Sequence, residues 1–376
     1  MKKALIFDTY DDYNIRIQYI KSALERNGYE TMIYFADFDH VKKQYYTKKR
    51  EDVHYIHVSD YQKNLSYARI ASHMKFAKAC VEVAEKHADV SLIYVMVPPN
   101  SMVKQFALYK RKHENVKIWF DVLDMWPESL PVSDKIKKLG ACIFNQWAKL
   151  RNRYLNDCDL VSFECNLFRD TLKQFVDAKK QTTIYLSQDN HMIDSYDRFN
   201  EQINFLYCGS INHIIDIDKI VSISKDIMRL KKVHLDIIGD GENKDAFLQQ
   251  LDIHHIPYTY HGLVYDEEKK RNIYRHCHFG FNIMKDSVYV GLTMKSLDYL
   301  SYGLPMINNI KGDSLSLVES EKIGLNVNDA LIQNITSLSE EEYFMMKENV
   351  KKTFLAYFDR HCIDQQLDQN IKELED

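Results

Sequence analysis

The sequence predicts an α/β protein made of two doubly wound domains with parallel sheets. Three observations support this fold class. The 376 residues suit about two domains. Short apolar runs of strand length alternate with amphipathic segments of helix length, and this alternation breaks once, in the polar segment 187–201. Such sheets bind ligands at the carboxyl ends of their strands, so we expect the ligand in a cleft between the two domains.

The elements of the first half follow from its hydrophobic periodicity. Short runs rich in β-branched and aromatic residues predict strands, and apolar positions three or four apart predict helices. The predicted strands are 4–7, 31–35, 92–97, 117–120, 160–163 and 183–186, and the predicted helices are 15–26, 67–87 and 135–154.

The second half repeats the same alternation and ends in a helical segment. Its predicted strands are 204–208, 234–238, 258–261, 279–283, 305–308 and 324–327, and its predicted helices are 217–230, 244–250, 267–276 and 293–301. We therefore expect domains at 1–195 and 196–355, with a helical segment, 356–376, that crosses back to the first domain.

Composition excludes several classes of protein. With 28% charged residues, 11 Gly and 6 Pro, the chain is globular in composition, and its net charge of −4 provides no overall basic field for nucleic acid. Seven scattered cysteines without C-x-x-C pairing are typical of a reducing compartment, so we expect a cytoplasmic protein. Apolar runs of about 18 residues are missing, so any membrane contact is expected to be peripheral.

Three predicted strands of the second half end in glycine, at Gly209, Gly239 and Gly262. Glycine at a strand end permits close approach of the backbone to a ligand and leaves N–H groups to face it. Each turn could equally be simple punctuation, but three at matching strand ends favour one edge of a binding cleft.

The segment from Gly291 to Lys295 leads from a loop into the predicted helix at 293–301. The first amides of that helix, the Thr293 hydroxyl and the Lys295 ammonium can converge on a diphosphate. Asp298 lies about one turn deeper, where its carboxylate could accept hydrogen bonds from ribose hydroxyls. The alternative is an ordinary capped helix with an exposed pair of Lys295 and Asp298.

These motifs resemble a known family. The series Y-x-G-S, I-I-G-D-G-E, H-G-x-V and K-S-L-D-Y-L-S-Y-G-L-P-M-I is similar to the C-terminal domain of retaining GT-B glycosyltransferases, which use nucleotide sugars. In the first half, D-V-L-D-M-W-P-E-S-L at 121–130 and N-D-C-D-L-V-S at 156–162 resemble elements of the same class. The resemblance covers both halves in the correct order.

The resemblance implies a GT-B fold of two Rossmann-like domains. It implies that the C-terminal domain binds a nucleotide sugar, which we expect to be a UDP-sugar, and that the N-terminal domain binds a glycan acceptor. It implies a hexosyltransferase that acts in polysaccharide or glycoconjugate biosynthesis. The implied donor-binding residues are Gly209, Ser210, Gly239, Asp240, Leu263, Gly291, Leu292, Thr293, Lys295 and Asp298.

Three departures from the family pattern bear on the site. The first carboxylate of the usual Glu-x7-Glu pair is replaced by Val290, and the usual Arg and Lys after the first glycine are replaced by Ser210 and Ile215. Lys295 is therefore the leading candidate to stabilise the departing diphosphate, and Lys285 could assist it. The first loop, 9–14, lacks the usual paired glycines.

On the N-terminal side, the resemblance implies that Asp124 follows a strand end and orients the donor sugar or the acceptor, with Glu128 behind it. The alternative is that Asp124 only caps the turn around the Trp-Pro pair. Asp11, Asn14 and Arg16, in and just after the first loop, are assigned to the acceptor side.

We expect no obligatory metal. The triplet 37–39 matches the D-x-D motif of metal-dependent transferases but is interpreted as surface charge, and the adjacent histidines at 254–255 and 276–278 lack the spacing of a zinc site.

The segment Lys135–Arg153 contains six cations and no carboxylate, interleaved with apolar residues. It could lie on an anionic membrane surface or be a core-packed helix with a basic edge.

Two alternatives to a transferase remain open at this point. One is a catalytically weak GT-B subunit that binds a partner enzyme, because Val290 and Ser210 depart from the pattern. The other is a GT-B sugar-nucleotide epimerase, which the lack of a matching His–Glu acid/base set disfavours.

Overall fold

The computed structural model describes residues 2–10, 14–130, 134–193, 198–199 and 202–375. The chain divides into two compact units. Unit 1 comprises Met1–Leu186 together with Ile363–Asp376, and unit 2 comprises Ser187–Cys362. The division therefore falls nine residues before the expected boundary at 195, and the return to the first unit begins within the last helix.

Unit 1 is an alternation of strands and helices. Its strands are β1 (Lys2–Phe7), β2 (Tyr29–Ala36), β3 (Phe38–Asp39), β4 (Gln44–Tyr45), β5 (His54–Ile56), β6 (Val90–Val97), β7 (Lys117–Val122), β8 (Leu160–Phe163) and β9 (Gln181–Thr183). Its helices are α1 (Asn14–Arg26), α2 (Tyr67–Glu85), α3 (Asn100–Lys110), α4 (Asp134–Leu139), α5 (Ala141–Tyr154) and α6 (Asn166–Leu172), with 3-10 turns at Lys173–Phe175 and Ala178–Lys180.

Seven of these strands form one parallel sheet, in the order β5-β2-β1-β6-β7-β8-β9, and β3 and β4 form a separate antiparallel pair. The central strands are apolar along almost their whole length because helices cover both faces of such a sheet. All strands of the large sheet end at the same edge, so the residues that follow β1 and β7 are brought to one side of unit 1.

Unit 2 contains six strands and seven helices within its described residues. The strands are β10 (Gln202–Cys208), β11 (Lys232–Ile238), β12 (Tyr258–Gly262), β13 (Phe279–Asn282), β14 (Met306–Asn308) and β15 (Gly324–Asn326). The helices are α7 (Ile217–Met228), α8 (Lys244–Ile253), α9 (Glu267–His276), α10 (Met294–Ser301), α11 (Asp313–Glu321), α12 (Leu331–Ser337) and α13 (Glu340–Tyr357).

The unit 2 sheet is also parallel and has the order β12-β11-β10-β13-β14-β15. This is the strand order 3-2-1-4-5-6 of a dinucleotide-binding sheet. The strands are added to one side of β10 up to β12 and to its other side from β13 onwards, so the switch point of the sheet lies between β10 and β13. Ligands of such sheets bind beyond the carboxyl ends of the strands at that point. The ends of β10, β11 and β13 are therefore the place to look for a site.

The final helix, α14 (Arg360–Glu375), returns the chain to unit 1. Glu375 pairs with Lys2 of β1 at 2.8 Å, and Asp368 pairs with Arg26 at the end of α1 at 2.9 Å. The Gln366 side-chain amide donates to the Thr183 carbonyl at 2.7 Å.

Two predicted elements differ from the structure, and the short strand β5 is absent from the predicted strands. The single helix predicted at 135–154 is two helices that meet at Gly140, a residue that weakens a helix interior. The strand predicted at 183–186 is β9, which begins two residues earlier and ends at Thr183, so that 184–186 are a buried connection. Strand β5 was missed because its residues, His54–Ile56, carry no apolar period.

Among the described residues, no helix is long and apolar enough to cross a membrane.

Candidate functional site

The turns after β10 and β11 lie against each other at the carboxyl edge of the unit 2 sheet. The Gly209 amide donates to the Ile238 carbonyl at 2.9 Å, and the Gly239 amide donates to the Gly262 carbonyl at 2.8 Å. A Cβ atom on Gly239 would lie 1.9 Å from the Gly209 carbonyl oxygen. Only glycine can therefore occupy position 239, so the sequence pattern reports a close backbone contact rather than a simple turn.

Helix α10 begins beside these turns with a capping box. The Thr293 hydroxyl accepts from the Ser296 amide at 3.0 Å, and the Ser296 hydroxyl accepts from the Thr293 amide at 3.1 Å. The Thr293 hydroxyl also donates to the Asn282 side chain, at the end of β13, at 2.8 Å. Thr293 thus fixes the start of α10 against the switch point of the sheet, and its hydroxyl is already used within the protein.

Lys295 lies on the first turn of α10, and its side chain runs past Gly209. Its Cε atom would be 3.6 Å from a Cβ on Gly209, its ammonium lies 4.5 Å from the centroid of the Tyr207 ring, and it donates to the Tyr207 hydroxyl at 3.4 Å. No carboxylate of the described residues pairs with it. Burial lowers the pKa of Lys295 to about 8. The structure therefore holds a desolvated ammonium, without a counter-ion, at the strand ends.

Asp298 faces the interior of unit 2, one turn further along α10. It accepts a hydrogen bond from Lys270 of α9 at 2.6 Å and another from the Tyr274 hydroxyl, so each carboxylate oxygen has a partner. It is buried, and the exposed pair of Lys295 and Asp298 weighed as an alternative is not formed. Lys270 and Tyr274 escaped the sequence analysis, although their spacing of four places them on one face of a helix.

The other predicted donor residues lie at the same edge. Ser210 and Asp240 are exposed directly after their glycines, Leu263 is exposed after β12, and Gly291 and Leu292 are buried in the loop before α10. The structure thus places the predicted donor residues around the ends of β10, β11 and β12 and the start of α10. Their contact with a donor stays a prediction.

The structure shows what surrounds Ile215 and Val290, two positions that depart from the family pattern, and Lys285, the cation expected to assist Lys295. Ile215 is buried in the apolar core of unit 2, so no cation is possible there without a change of packing. The Lys285 amide donates to the Ile214 carbonyl at 2.9 Å, which places Lys285 next to the loop after β10. Lys285, Val290 and Lys311 line one small depression of about 20 Å³. Lys285 is therefore a second cation near the switch point and, unlike Lys295, it is exposed.

Asp124 follows β7 in unit 1 and is mostly buried. One of its oxygens accepts from the Met125 amide at 2.7 Å and from the Ser129 hydroxyl. Burial raises the pKa of the Asp124 carboxyl above its ordinary value, and the hydrogen bonds from Ser129 and Met125 oppose that rise. The capping contact weighed as the alternative is present, and the orienting role of Asp124 stays a prediction.

Glu128 is tied to a buried arginine. Its two oxygens accept from Arg151 of α5 at 2.7 and 3.1 Å, and Arg151, which is fully buried, also donates to the Trp126 carbonyl at 2.9 Å. The Glu128 carboxylate therefore forms a bidentate ion pair with Arg151, and this pair fixes α5 to the turn after β7.

Arg16 is a core residue of unit 1. Its guanidinium donates to both oxygens of Asp121, at 2.9 and 3.1 Å, and to the Tyr185 carbonyl at 3.1 Å. The Tyr94 and Ser162 hydroxyls also donate to Asp121. The acceptor-side role of Arg16 stays a prediction; Asp11 and the side chain of Asn14 lie outside the described residues.

The two aspartates of the D-x-D triplet accept hydrogen bonds from backbone amides near β3. Asp37 lies 2.9 Å from His57 Nδ1 and accepts from the Val58 amide at 3.1 Å, while Asp39 accepts from the amides of the following turn. Both carboxylates are buried, so the interpretation as surface charge is wrong. Among the described residues, no group of three or more His, Cys, Asp and Glu side chains is placed to hold a metal ion.

Solved structures resemble this chain over its whole length. Sucrose-phosphate synthase from Thermosynechococcus elongatus aligns with a TM-score of 0.71 at 14% identity and covers 100% of this chain and 99% of that one. Anabaena HepE in complex with UDP aligns with a TM-score of 0.67 at 12% identity and covers 99% of this chain and 100% of that one. The apo form of the lipopolysaccharide outer core galactosyltransferase WaaB aligns with a TM-score of 0.69 at 13% identity and covers 99% of this chain and 99% of that one. The chain has the GT-B fold. No family model and no curated protein matches it in sequence.

The GT-B fold agrees with the two parallel sheets of the chain. At the carboxyl edge of the unit 2 sheet the chain offers backbone amides, a helix start and one unpaired ammonium. Groups of these kinds bind anions through hydrogen bonds and charge. Such a site can hold a diphosphate and stabilise charge that develops on it.

Proposed function

We propose that this protein is a retaining glycosyltransferase that moves a hexose or N-acetylhexosamine from a UDP-sugar to a glycan acceptor. The observation that carries the proposal is the Lys295 ammonium, held without a carboxylate partner beside the Gly209 backbone at the switch point of the unit 2 sheet. Structural neighbours whose names include UDP or UDP-glucose complexes support the choice of nucleotide.

The reaction that fits this site needs positioning and charge rather than a covalent intermediate. The acceptor hydroxyl attacks the anomeric carbon on the face from which the diphosphate leaves. The new bond joins the acceptor oxygen to that carbon, the bond to the diphosphate oxygen breaks, and a diphosphate oxygen takes the hydroxyl proton. Lys295 would stabilise the charge on the departing UDP, with the start of α10 behind it.

The test is a panel of nucleotide sugars followed by product analysis. Ligands that bind the folded state raise its melting temperature, so a UDP-sugar should shift the midpoint more than the matching GDP-sugar. With the selected donor, slow hydrolysis should release UDP and a sugar that keeps the donor's anomeric configuration, as read by proton NMR. Inversion would refute the retaining mechanism.

The binding-subunit alternative predicts a different calorimetric result. If UDP, GDP and ADP all fail to bind at about millimolar concentration, where even a weak site with a Kd of that order is detected, the chain is not a donor-dependent transferase. An epimerase would instead convert the sugar while it remains on the nucleotide, which the same NMR spectra would show.

We also propose that α4 and α5 lie on an anionic membrane surface. The core-packed reading of this segment fits poorly, because Leu139 is 92% exposed, Ile143 is 50% exposed and Ile136 is 44% exposed. Lys138, Lys149 and Arg153 are exposed as well. Exposed aliphatic side chains next to cations match the interface of an anionic bilayer, where a lipid-linked acceptor would be found.

Vesicle co-sedimentation tests this contact. The protein should bind phosphatidylcholine vesicles that contain about 30 mol% phosphatidylglycerol and bind pure phosphatidylcholine weakly, and added salt should weaken the difference. Replacing Leu139 and Ile143 by Ser should abolish binding, while the control Leu355→Ser on the exposed face of α13 should not. Equal binding by both variants would refute the proposal.

A further inference from the structure

A second group of cations that form no ion pair with a carboxylate of the described residues lies in unit 1. Arg69, in the first turn of α2, is only 6% exposed. Its terminal nitrogens donate to the Asn64 carbonyl and to the Tyr10 hydroxyl, both at 3.0 Å, and its Nε atom has no hydrogen-bond partner. No carboxylate of the described residues forms an ion pair with it. Because a buried charge is costly unless it is paired, this arrangement needs an explanation.

Aromatic rings surround the Arg69 guanidinium. It lies 4.3 Å from the centroid of the Trp126 ring, 5.7 Å from that of Tyr61 and 5.9 Å from that of Tyr10. His73 accompanies them, stacked on Trp126, and burial together with the Arg69 charge holds the pKa of His73 well below its ordinary value. The rings stabilise the cation in part, and the Arg69 charge also acts to lower the pKa of Asp124, so the two groups attract each other although no ion pair joins them.

Lys43 brings a second cation to the same place. Its ammonium lies 4.9 Å from the Tyr61 centroid and donates to the Asn64 side chain, so Lys43 and Arg69 meet at the same asparagine and the same ring. Burial and the Arg69 charge lower the pKa of Lys43. The two like charges are therefore held close enough to repel each other.

Asp39 attracts Lys43 and Asp124 attracts Arg69, but both carboxylates are hydrogen-bonded to other groups. Asp39 holds the turn that precedes Lys43 and pairs with Lys42 at 3.5 Å, and Asp124 accepts from Ser129 and from the Met125 amide. The cluster is also placed at a functional edge, because Tyr10 follows β1 and Trp126 follows β7 on the side where the parallel strands end.

We propose that Arg69 and Lys43 bind a phosphoryl group carried by the acceptor, with Trp126 and Tyr61 beside it. A guanidinium and an ammonium together match the double charge and the oxygen geometry of a phosphate ester, and the planar fork of Arg can hold two of its oxygens. This inference rests on the proposed function, since it takes unit 1 as the acceptor side. The ester could belong to a soluble sugar phosphate or to a polyprenyl carrier, and both present the same group.

The test is a binding experiment that needs no catalysis. Inorganic phosphate and glucose 6-phosphate are titrated into the wild-type protein and into Arg69→Met, Lys43→Gln and Lys295→Ala. We expect Arg69→Met to weaken binding about tenfold or more and Lys43→Gln to weaken it by less, as losing a charge-assisted hydrogen bond predicts. Lys295→Ala should remove only the part of the phosphate binding that belongs to the unit 2 edge, so the part that depends on Arg69 is the difference between Arg69→Met and wild type. The neighbouring exposed Lys42→Gln is the matched control and should also bind normally.

Folding provides an independent readout. Because Arg69 is a buried cation that forms no ion pair with a carboxylate of the described residues, Arg69→Met should raise the melting temperature in phosphate-free buffer while phosphate stabilisation is lost. If Arg69 only supports the core, the variant will melt earlier and the folded protein will bind phosphate normally, which overturns the proposal. Lys43→Gln, at a half-buried position, keeps the test open should Arg69→Met not fold.

The two sources of the ester are separated by a vesicle experiment. Binding to phosphatidylcholine vesicles that contain polyprenyl phosphate, lost in Arg69→Met, supports a lipid-linked acceptor; binding of glucose 6-phosphate lost in the same variant supports a soluble one. Failure of both overturns the proposal. A result in which UDP does not bind but phosphate still depends on Arg69 would refute the proposed transferase and leave this site standing.

Discussion

The carboxyl edges of the two sheets use different kinds of groups. In unit 2 the edge is built from backbone, with glycine turns packed together and one ammonium, Lys295, left without a carboxylate. In unit 1 the edge is built from side chains, and its predicted carboxylates, Asp124 and Glu128, are already bonded to Ser129 and Arg151. The first edge therefore keeps a cation that no carboxylate of the described residues pairs with, whereas the acids of the second edge are already hydrogen-bonded within the protein.

This difference shows where local sequence suffices to define a site. A backbone site is encoded by residues next to one another, since a glycine or a helix start acts within a few positions. A side-chain site such as that of Lys43, Asn64 and Arg69, with Trp126 beyond them, is assembled from distant segments. The fold brings these segments together only once all strands are placed.

The largest effect is expected from Gly239→Ala. The added Cβ would contact the Gly209 carbonyl, so the turns must separate, and we expect a loss of about 3 kcal/mol of unfolding free energy with loss of UDP binding. Denaturant titration measures the change. Gly262→Ala is the control, because it shares a positive φ but has open space around it, and it should cost about 1 kcal/mol. Equal losses would show that the two turns do not pack as described.

Removing the ammonium tests whether the unit 2 edge is an anion site. Lys295→Ala should raise the Kd for UDP about 10- to 100-fold, as expected for loss of a charge-assisted hydrogen bond. Circular dichroism should show an intact fold, because no partner of opposite charge is left behind. Lys244→Ala is the control, since Lys244 is paired with Asp245 on the surface. Calorimetry that finds equal affinity for wild type and Lys295→Ala would end the phosphate assignment.

The pH dependence of UDP binding should report the same group. The pKa of Lys295 is lowered to about 8, so the free protein carries this charge below pH 8 and loses it above. UDP affinity should therefore fall as the pH rises through 8, by up to about tenfold per pH unit, until the contribution of the Lys295 charge to binding is lost. The phosphate groups of UDP titrate near pH 6 and do not interfere. Lys295→Arg should bind with constant affinity to pH 9.5 or so, since arginine stays charged.

Most strands and helices could be predicted from the sequence because their apolar residues recur with the period of a strand or a helix. The glycine turns and the start of α10 could be predicted because the residues that define them lie within a few positions of one another. The partners of the site residues could not. Asp298 meets Lys270 and Tyr274 from α9, and Glu128 meets Arg151 from α5, through packing between helices that carries no local signal. Burial could not be predicted locally either, since Arg16 and the triplet 37–39 are polar in sequence yet lie inside unit 1.

The smallest effect concerns Asp124, the unit 1 carboxylate that is predicted from the sequence to orient the donor sugar or the acceptor. Ser129→Ala removes a hydrogen bond to Asp124, which should cost about 1 kcal/mol of stability, and the exposed Ser320→Ala is the control. If Asp124 only caps its turn, transfer by the folded variant will be unchanged. If Asp124 also orients substrate, the freed carboxylate will lower kcat with little change in KM for the donor. That split, measured with the donor found in the panel, decides whether the two edges act in one reaction or only one of them does.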